Sequence, residues 1–143
     1  MSENLDLVRS IYAEWERGDY FSPGWAHPDI EWVRADGPEP GSWTGVAEMV
    51  GQWRAFTQQW EDWQTHAPAE YRELDDERVL VLDHPGGRGK RSGIEMESVG
   101  ATIFRVRAGK VTQIVSYWYR DRALADLGQR VPGAIPASDS GVE

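Results

Sequence analysis

The 143-residue sequence contains no cysteine and only three histidines. Disulfides, thiolate catalysis and sulfur-ligated zinc sites are therefore excluded, and the three histidines show no paired metal-ligand spacing. No apolar run approaches the roughly 20 residues that a membrane-spanning helix needs. The opening segment MSENLDLVRS has neither the basic nor the apolar region of a secretion signal. We expect a cytoplasmic protein that has no metal or other cofactor and no membrane partner.

Positive charge is also scarce. The 15 basic residues are outnumbered by 24 acidic ones, which gives a net charge of −9. Nucleic-acid binding needs a clustered basic face, whereas the basic residues here are scattered among acids, so we expect no nucleic-acid partner. The turn HPGGRGKRSG at residues 84–93 lacks both the GxxxxGK[ST] spacing of a phosphate loop and a following helix. It is interpreted as a hairpin.

Aromatic residues, in contrast, are abundant. The chain has eight Trp, five Tyr and three Phe, and its length is sufficient for one core of ordinary size but not for two domains. Large rings either fill such a core or line a hollow within it. If the sheet of the domain curves around a hollow, both interpretations hold at once.

Sequence periodicity predicts the main elements. Apolar residues recur at helical spacing from Asn4 to Gly18 and again from Val46 to Trp60. A broken helix or turn is predicted at residues 23–28 and a loop at 36–45. The segment 130–143, which is rich in Pro, Gly and Ser, is expected to be a flexible tail behind a single domain of residues 1–129. Strands are predicted near residues 29–35, 61–74, 77–92, 94–107 and 110–119, of which the first and the last two alternate.

The stretch at residues 109–128, GKVTQIVSYWYRDRALADLG, predicts a strand that runs directly into a short helix, and a two-residue turn joins it to the strand ATIFRVR. Upstream, WERGDY, GPEPGSWTG and LDDERVLVLD follow the order found in SnoaL-like proteins. Over residues 3–129 the chain resembles this family, which has the nuclear-transport-factor-type cone fold of the ketosteroid isomerase and polyketide cyclase superfamily. The resemblance implies a cone-shaped α+β barrel, in which a curved, mainly antiparallel sheet wraps around N-terminal helices and encloses an internal pocket.

The resemblance also indicates which side chains face the pocket, because successive residues of a strand alternate between its two faces. On the last strand, Thr112 and Ser116 are expected on the concave face. Val111, Val115 and Tyr117 are expected on the outer face, where their apolar character predicts a homodimer contact. The expected ligand-binding residues are Trp32, Arg34, Trp53, Trp63, Met96, Ser98, Thr102, Phe104, Ile114, Ser116 and Trp118.

Catalytic residues of related enzymes are not matched. Comparison with ketosteroid isomerases places Ile11, Arg34 and Thr102 where those enzymes hold a donor, a base and an acid. Comparison with limonene-epoxide hydrolases places Thr102, Gly100 and Ser116 at their Asp-Arg-Asp arrangement. The remaining candidates are Asp83 or His27 as a base, with Arg34 as the electrostatic stabiliser. Since Asp83 and His84 are adjacent, one of the two should face the hollow.

Three functions remain open from the sequence. The favoured one is binding of a small apolar or aromatic ligand, with Arg34 and the hydroxyls of Ser98, Thr102 and Ser116 orienting a carbonyl or carboxylate. The second is an isomerase, cyclase or dehydratase that acts on a polyketide-like or steroid-like substrate. The third is a dimeric protein-interaction module.

Overall fold

The computed structural model describes residues 3–19, 24–37, 40–65, 68 and 70–128, except for the side chains of residues 62, 64, 65, 85 and 96. The predicted tail at 130–143 lies outside this part of the chain. The elements are α1 (Glu3–Glu16), β1 (Ala26–Arg34), β2 (Gly41–Thr44), α2 (Val46–Thr57), β3 (Trp60–Thr65), β4 (Glu70–Glu73), β5 (Arg78–Asp83), β6 (Pro85–Gly89), β7 (Glu95–Glu97), β8 (Gly100–Arg107), β9 (Lys110–Tyr117) and α3 (Arg120–Asp126).

Helix α1 follows from the apolar spacing seen in the sequence. Val8, Ile11, Tyr12 and Trp15 are its buried residues, and their i, i+3, i+4, i+7 spacing places them on one face. The chain leaves the helix at Gly18, which has a φ of 86°. Glycine adopts this left-handed conformation without the steric cost that a Cβ atom adds. The predicted first helix is therefore confirmed.

The strands form two sheets. The larger one has the order β2-β1-β9-β8-β5-β4, and the smaller one has the order β3-β6-β7. All pairings are antiparallel except that of β1 with β9, which is parallel. The mainly antiparallel α+β architecture predicted from the sequence is confirmed, although the sheet is not closed into a barrel. Strand β9, the last in sequence, lies between β1 and β8 in the middle of the larger sheet.

Both faces of the larger sheet are covered. The inner face packs against α1 and α2 and forms the main core, which includes Val8, Ile30, Met49, Val81, Phe104 and Ile114. The outer face packs against α3, where Ala123 and Leu124 are completely buried against Leu80, Leu82, Ala101 and Ile103. Each fully buried aliphatic or aromatic side chain of this size stabilises the fold by roughly 1.5–3 kcal/mol. Helix α3 is therefore an integral part of the fold.

A β-bulge inverts the predicted faces at the start of β9. Arg105 pairs with Gln113, but Val106 pairs with Val111, so that Thr112 is the extra residue. Val111 is completely buried in the main core, and the Thr112 hydroxyl donates to the Arg105 carbonyl. The predictions that Thr112 faces the hollow and that Val111 lies on the outer face are therefore wrong.

Each of the three long strands predicted at 61–74, 77–92 and 94–107 is divided in two. One half of each predicted strand forms β3, β6 or β7, and these three strands make up the smaller sheet. The other halves form β4, β5 and β8, which belong to the larger sheet. The predicted turn at 23–28 is partly strand, because β1 begins at Ala26, and the predicted loop at 36–45 contains β2. Among the described residues, no helix is long and apolar enough to cross a membrane.

Candidate functional site

A cavity of about 150 Å³ lies between the two N-terminal helices and the inner face of the larger sheet. A cavity of roughly this size holds a benzene-sized molecule. Its wall is mostly aromatic, with a few polar groups. The lining residues are Tyr12, Trp15, Trp32, Arg34, Asp36, Trp53, Phe56, Thr57, Trp63, Asp83, Thr102, Ile114, Ser116, Tyr117 and Trp118.

Asp83, at the end of β5, is the most deeply placed carboxylate of the cavity. Its Oδ2 accepts hydrogen bonds from the Tyr12 hydroxyl and from the Thr102 hydroxyl, each at 2.8 Å. Burial raises the pKa of Asp83, because the charged carboxylate is removed from water, while the two hydroxyl donors oppose the shift. Burial, and then the negative charge of Asp83, raises the pKa of Tyr12 well above its usual value. The phenol therefore stays protonated and acts as a donor.

Arg120 and Gly100 both constrain the position of Asp83. The Arg120 guanidinium, from the first turn of α3, donates to the Gly100 carbonyl at 3.0 Å and to the Asp83 carbonyl at 3.1 Å. A Cβ atom at Gly100 would lie 3.0 Å from Asp83 Oδ1 and 2.8 Å from the Tyr117 carbonyl oxygen. Only glycine fits beside the carboxylate without displacing it.

Arg34, at the end of β1, contributes a positive charge to the cavity wall. The residue is 9% exposed, and its guanidinium carbon lies 4.8 Å, 5.2 Å and 4.6 Å from the ring centroids of Trp32, Trp43 and Phe56. Cation–π attraction to these rings orients the guanidinium. A positive charge fixed in an apolar wall attracts a carbonyl or carboxylate oxygen of a ligand.

Asp36, two residues beyond Arg34, brings a second carboxylate to the cavity. It is 8% exposed, and its Oδ1 accepts a hydrogen bond from the Trp118 backbone N–H at 2.6 Å. The chain can pass this close to Trp118 because residue 37 is glycine: a Cβ there would lie 2.5 Å from Trp118 Cβ. The close approach fixes the carboxylate of Asp36 against the end of β9.

The aromatic wall is formed by two sets of ring contacts. Trp53 meets Trp15 edge to face at 5.4 Å and Trp32 at 5.7 Å. Trp63 and Trp118 are close to parallel, with centroids 6.3 Å apart and an interplanar angle of 21°. Because each ring is packed against at least one other, the shape of the cavity is formed in advance of binding.

Nine of the residues predicted from the sequence for the site line this cavity. The face assignment of the Asp83–His84 pair is resolved in favour of Asp83. Met96 belongs to β7, and its side chain lies outside the described part of the structure. The nine lining residues are Asp83, Trp32, Arg34, Trp53, Trp63, Thr102, Ile114, Ser116 and Trp118. Their roles in binding or catalysis remain predictions.

Three other predicted site residues do not line the cavity. His27 is half-buried near the start of β1, where its Nδ1 accepts the backbone N–H of Asp29 at 2.9 Å. Ser98 donates its hydroxyl to the Trp118 carbonyl, which occupies the group in a backbone connection. Phe104 is completely buried beneath the cavity, against the aromatic rings of α1.

Several lining residues were missed in the sequence. Residue matching placed Ile11 at the donor position of an isomerase, but Ile11 is completely buried in the core and the next residue, Tyr12, lines the cavity. Asp36 continues the alternation of Trp32 and Arg34, so strand parity extended by one step would have found it. The full set of missed residues is Tyr12, Trp15, Asp36, Phe56, Thr57 and Tyr117.

The part of the chain that the structure describes contains no cluster of side chains that could bind a metal ion. No group of three or more His, Asp or Glu side chains capable of holding an ion occurs there.

The fold has close structural counterparts, although no family model and no curated protein matches the sequence. An NTF2-like protein from Burkholderia pseudomallei has 22% sequence identity and a TM-score of 0.73, over 87% of this chain and 97% of its own. A SnoaL-like polyketide cyclase from Mesorhizobium loti has 14% identity and a TM-score of 0.65, over 78% and 96%.

A third structure, from Catenulispora acidiphila, has a ketosteroid isomerase-like fold and was determined in complex with trimethylamine. It shares 17% identity with this chain at a TM-score of 0.67, over 87% of this chain and 94% of its own. At these identities the likeness defines the architecture and leaves the activity open. The chain therefore has the NTF2-like cone fold that SnoaL-like polyketide cyclases and ketosteroid isomerase-like proteins share.

Proposed function

We propose that the protein binds a small, largely aromatic molecule that carries a carbonyl or carboxylate oxygen. The observation that supports this proposal is the wall of the cavity, which is lined by many aromatic side chains and includes the buried Arg34. Apolar pockets with a few fixed polar groups are the usual form of small-molecule sites. The aromatic rings supply contact area, and Arg34 fixes the orientation of the polar end.

The test uses acetophenone and ethylbenzene, two single-ring probes of similar size of which only acetophenone has a carbonyl oxygen. We expect calorimetry to show saturable binding of both, with acetophenone bound more tightly. Arg34→Met keeps the packing of the side-chain stem but removes the charge. It should weaken acetophenone by roughly tenfold or more, as for other hydrogen bonds to charged groups, and leave ethylbenzene nearly unchanged. Arg17→Met, at an exposed position beyond α1, is the matched control.

Saturable binding of neither probe would refute the proposal. If both probes bind but Arg34→Met weakens them equally, the aromatic site stands and the role of Arg34 is wrong.

A second candidate function is acid–base catalysis on a bound carbonyl compound. The observation that favours it is Asp83, a buried carboxylate held by Tyr12 and Thr102 on the cavity wall, with a pKa raised by burial towards the range of a general base. In such a reaction, a proton on the carbon next to the carbonyl passes to the Asp83 carboxylate, and Arg34 stabilises the enolate oxygen that forms.

Acetophenone separates catalysis from binding alone. In D₂O, an enzyme of this kind exchanges the methyl hydrogens of acetophenone for deuterium faster than buffer does, and NMR follows the loss of the methyl signal. Asp83→Asn should abolish the acceleration, whereas Asp29→Asn, at an exposed position, should not. If the wild-type protein gives exchange only at the buffer rate, the catalytic candidate is refuted and the binding function remains.

A homodimer and a cytoplasmic location are the remaining parts of the proposal. Val111 is buried in the core, but Val99 is 55% exposed and Tyr119 is 59% exposed, and both flank the ends of β8 and β9. The N–H of Arg120 donates to the Val99 carbonyl, so the patch is continuous with the start of α3. An apolar patch of this kind supports a contact between two copies of the chain.

A further inference from the structure

We propose that Asp36 accepts a hydrogen bond from a hydroxyl group of the ligand, so that the preferred ligand is a hydroxylated aromatic carbonyl compound. This inference rests on the proposed function, because it requires a ligand in the same cavity. It assigns a second polar contact, apart from that of Arg34.

The argument begins with the two oxygens of the Asp36 carboxylate. Oδ1 accepts the Trp118 backbone N–H at 2.6 Å. Oδ2 is buried and has no hydrogen-bond partner among the residues that the structure describes. Buried carboxylate oxygens are nearly always paired in folded proteins, and the residue lines the cavity. A donor from a bound molecule would complete the bonding of Oδ2.

The carboxylate of Asp83 is bonded differently. Its Oδ2 already accepts two hydroxyl donors, Tyr12 and Thr102, and its Oδ1 faces the backbone at Gly100. Of the two cavity carboxylates, Asp36 is the one with a buried oxygen that has no partner among the described residues. Its Oδ1 bond also fixes the orientation of the group, since Gly37 packs directly against the Trp118 side chain.

The expected donor is a neutral hydroxyl rather than an ammonium group. A ligand cation would be held by the faces of aromatic rings, but the faces of Trp32, Trp43 and Phe56 are in contact with the Arg34 guanidinium. Arg34 also lines the cavity and would repel a second positive charge. A hydroxyl satisfies Oδ2 without this repulsion.

The test compares the three isomeric hydroxyacetophenones with their methyl ethers, in which the hydroxyl can no longer donate. We expect at least one hydroxyl isomer to bind the wild-type protein roughly tenfold or more tightly than its ether, as measured by calorimetry. Asp36→Asn can keep an acceptor for the Trp118 N–H while presenting an NH₂ donor to the cavity. This variant should lose the preference or favour the ether, and Asp29→Asn should behave like the wild type.

A second measurement does not depend on the folding of a variant. The ¹³C resonance of the Asp36 carboxyl carbon should shift on addition of the preferred hydroxyl isomer and stay in place with its ether. Equal affinities for all three pairs, with binding present, overturn this inference and leave the proposed function intact. A hydroxyl preference that persists in Asp36→Asn also overturns it, while a lack of binding by every probe, acetophenone included, overturns both.

Discussion

Asp83 combines two opposing influences on one carboxyl group. Removal from water favours the protonated form and raises its pKa, while the hydroxyls of Tyr12 and Thr102 favour the charged form. Burial is the larger influence, so the pKa in the folded protein is above the ordinary value of 3.8. The folded state therefore binds more protons than the unfolded state between the two pKa values. The stability from this group is fully present below about pH 3.8 and is lost as the pH rises through the folded pKa.

We expect the pH dependence of unfolding to identify Asp83 and its donor. In urea titrations, the free energy of unfolding of the wild-type protein should fall relative to that of Asp83→Asn as the pH rises above about 3.8. Tyr12→Phe removes one hydrogen-bond partner of the buried Asp83 carboxyl group and should cost about 1–3 kcal/mol. It should also raise the pKa of Asp83 further, as followed by NMR of the carboxyl carbon.

Tyr71→Phe is the matched control for Tyr12→Phe. Tyr71 is a half-buried tyrosine of β4 whose ring contacts that of Tyr12 at 5.9 Å. Its replacement should change the stability by less than about 0.5 kcal/mol. A pKa of Asp83 that is the same in the wild type and in Tyr12→Phe would contradict the assigned hydrogen bond.

The sequence predicted which strands form the cavity better than it predicted which side chains enter it. Alternation correctly paired Trp32 with Arg34 on one face, and one further step of the same rule, which was not taken, leads to Asp36. It failed at Val111, because a parity count assumes an unbroken ladder and the bulge at Thr112 inserts one residue. A bulge depends on the pairing of two distant strands, so no local pattern in β9 announces it.

Helix α1 is a second case in which a local pattern could not identify the residue that meets the cavity. The period of α1 predicted its buried face correctly, and Tyr12 and Ile11 both belong to that face. Neighbouring positions on a helix differ by about 100° in direction, so matching by count from Gly18 selected Ile11, whereas only Tyr12 reaches Asp83. Which of two adjacent buried residues meets a cavity is decided by the tertiary packing of the helix on the sheet.

The division of the long strands also depends on pairing with other strands, and not only on the sequence of the strand itself. The stretch 77–92 is predicted as one strand, yet β5 joins the larger sheet and β6 the smaller one, with the change at His84. Pro85 cannot donate to a strand ladder, which makes the change of sheet favourable at that point. The sequence contained this signal, but the second sheet that receives β6 is a property of the assembled chain.

The proposed dimer is a property of the whole molecule. We expect light scattering at tens of micromolar to report two copies for the wild type and one for Val99→Lys, because a charge at an exposed apolar contact opposes association. Ile94→Lys, at a position that is 61% exposed in the turn between β6 and β7, should leave the dimer intact. Thermal unfolding should show both variants to be folded.

A wild-type monomer at these concentrations would rule out the dimer. A dimer that withstands Val99→Lys but not Ile94→Lys would place the contact on the smaller sheet instead.

The central position of β9 has a consequence for synthesis on the ribosome. About 75 residues separate the end of β1 at Arg34 from the start of β9 at Lys110, which corresponds to roughly 4–15 s of translation at about 5–20 residues per second. During this delay β1 presents an edge with unpaired backbone groups, and β8 presents a second one from its synthesis until β9 follows. Such edges recruit strands from other chains. Messages truncated before residue 110 would therefore yield two half-sheets prone to aggregation, and the last strand to emerge joins them into one protein.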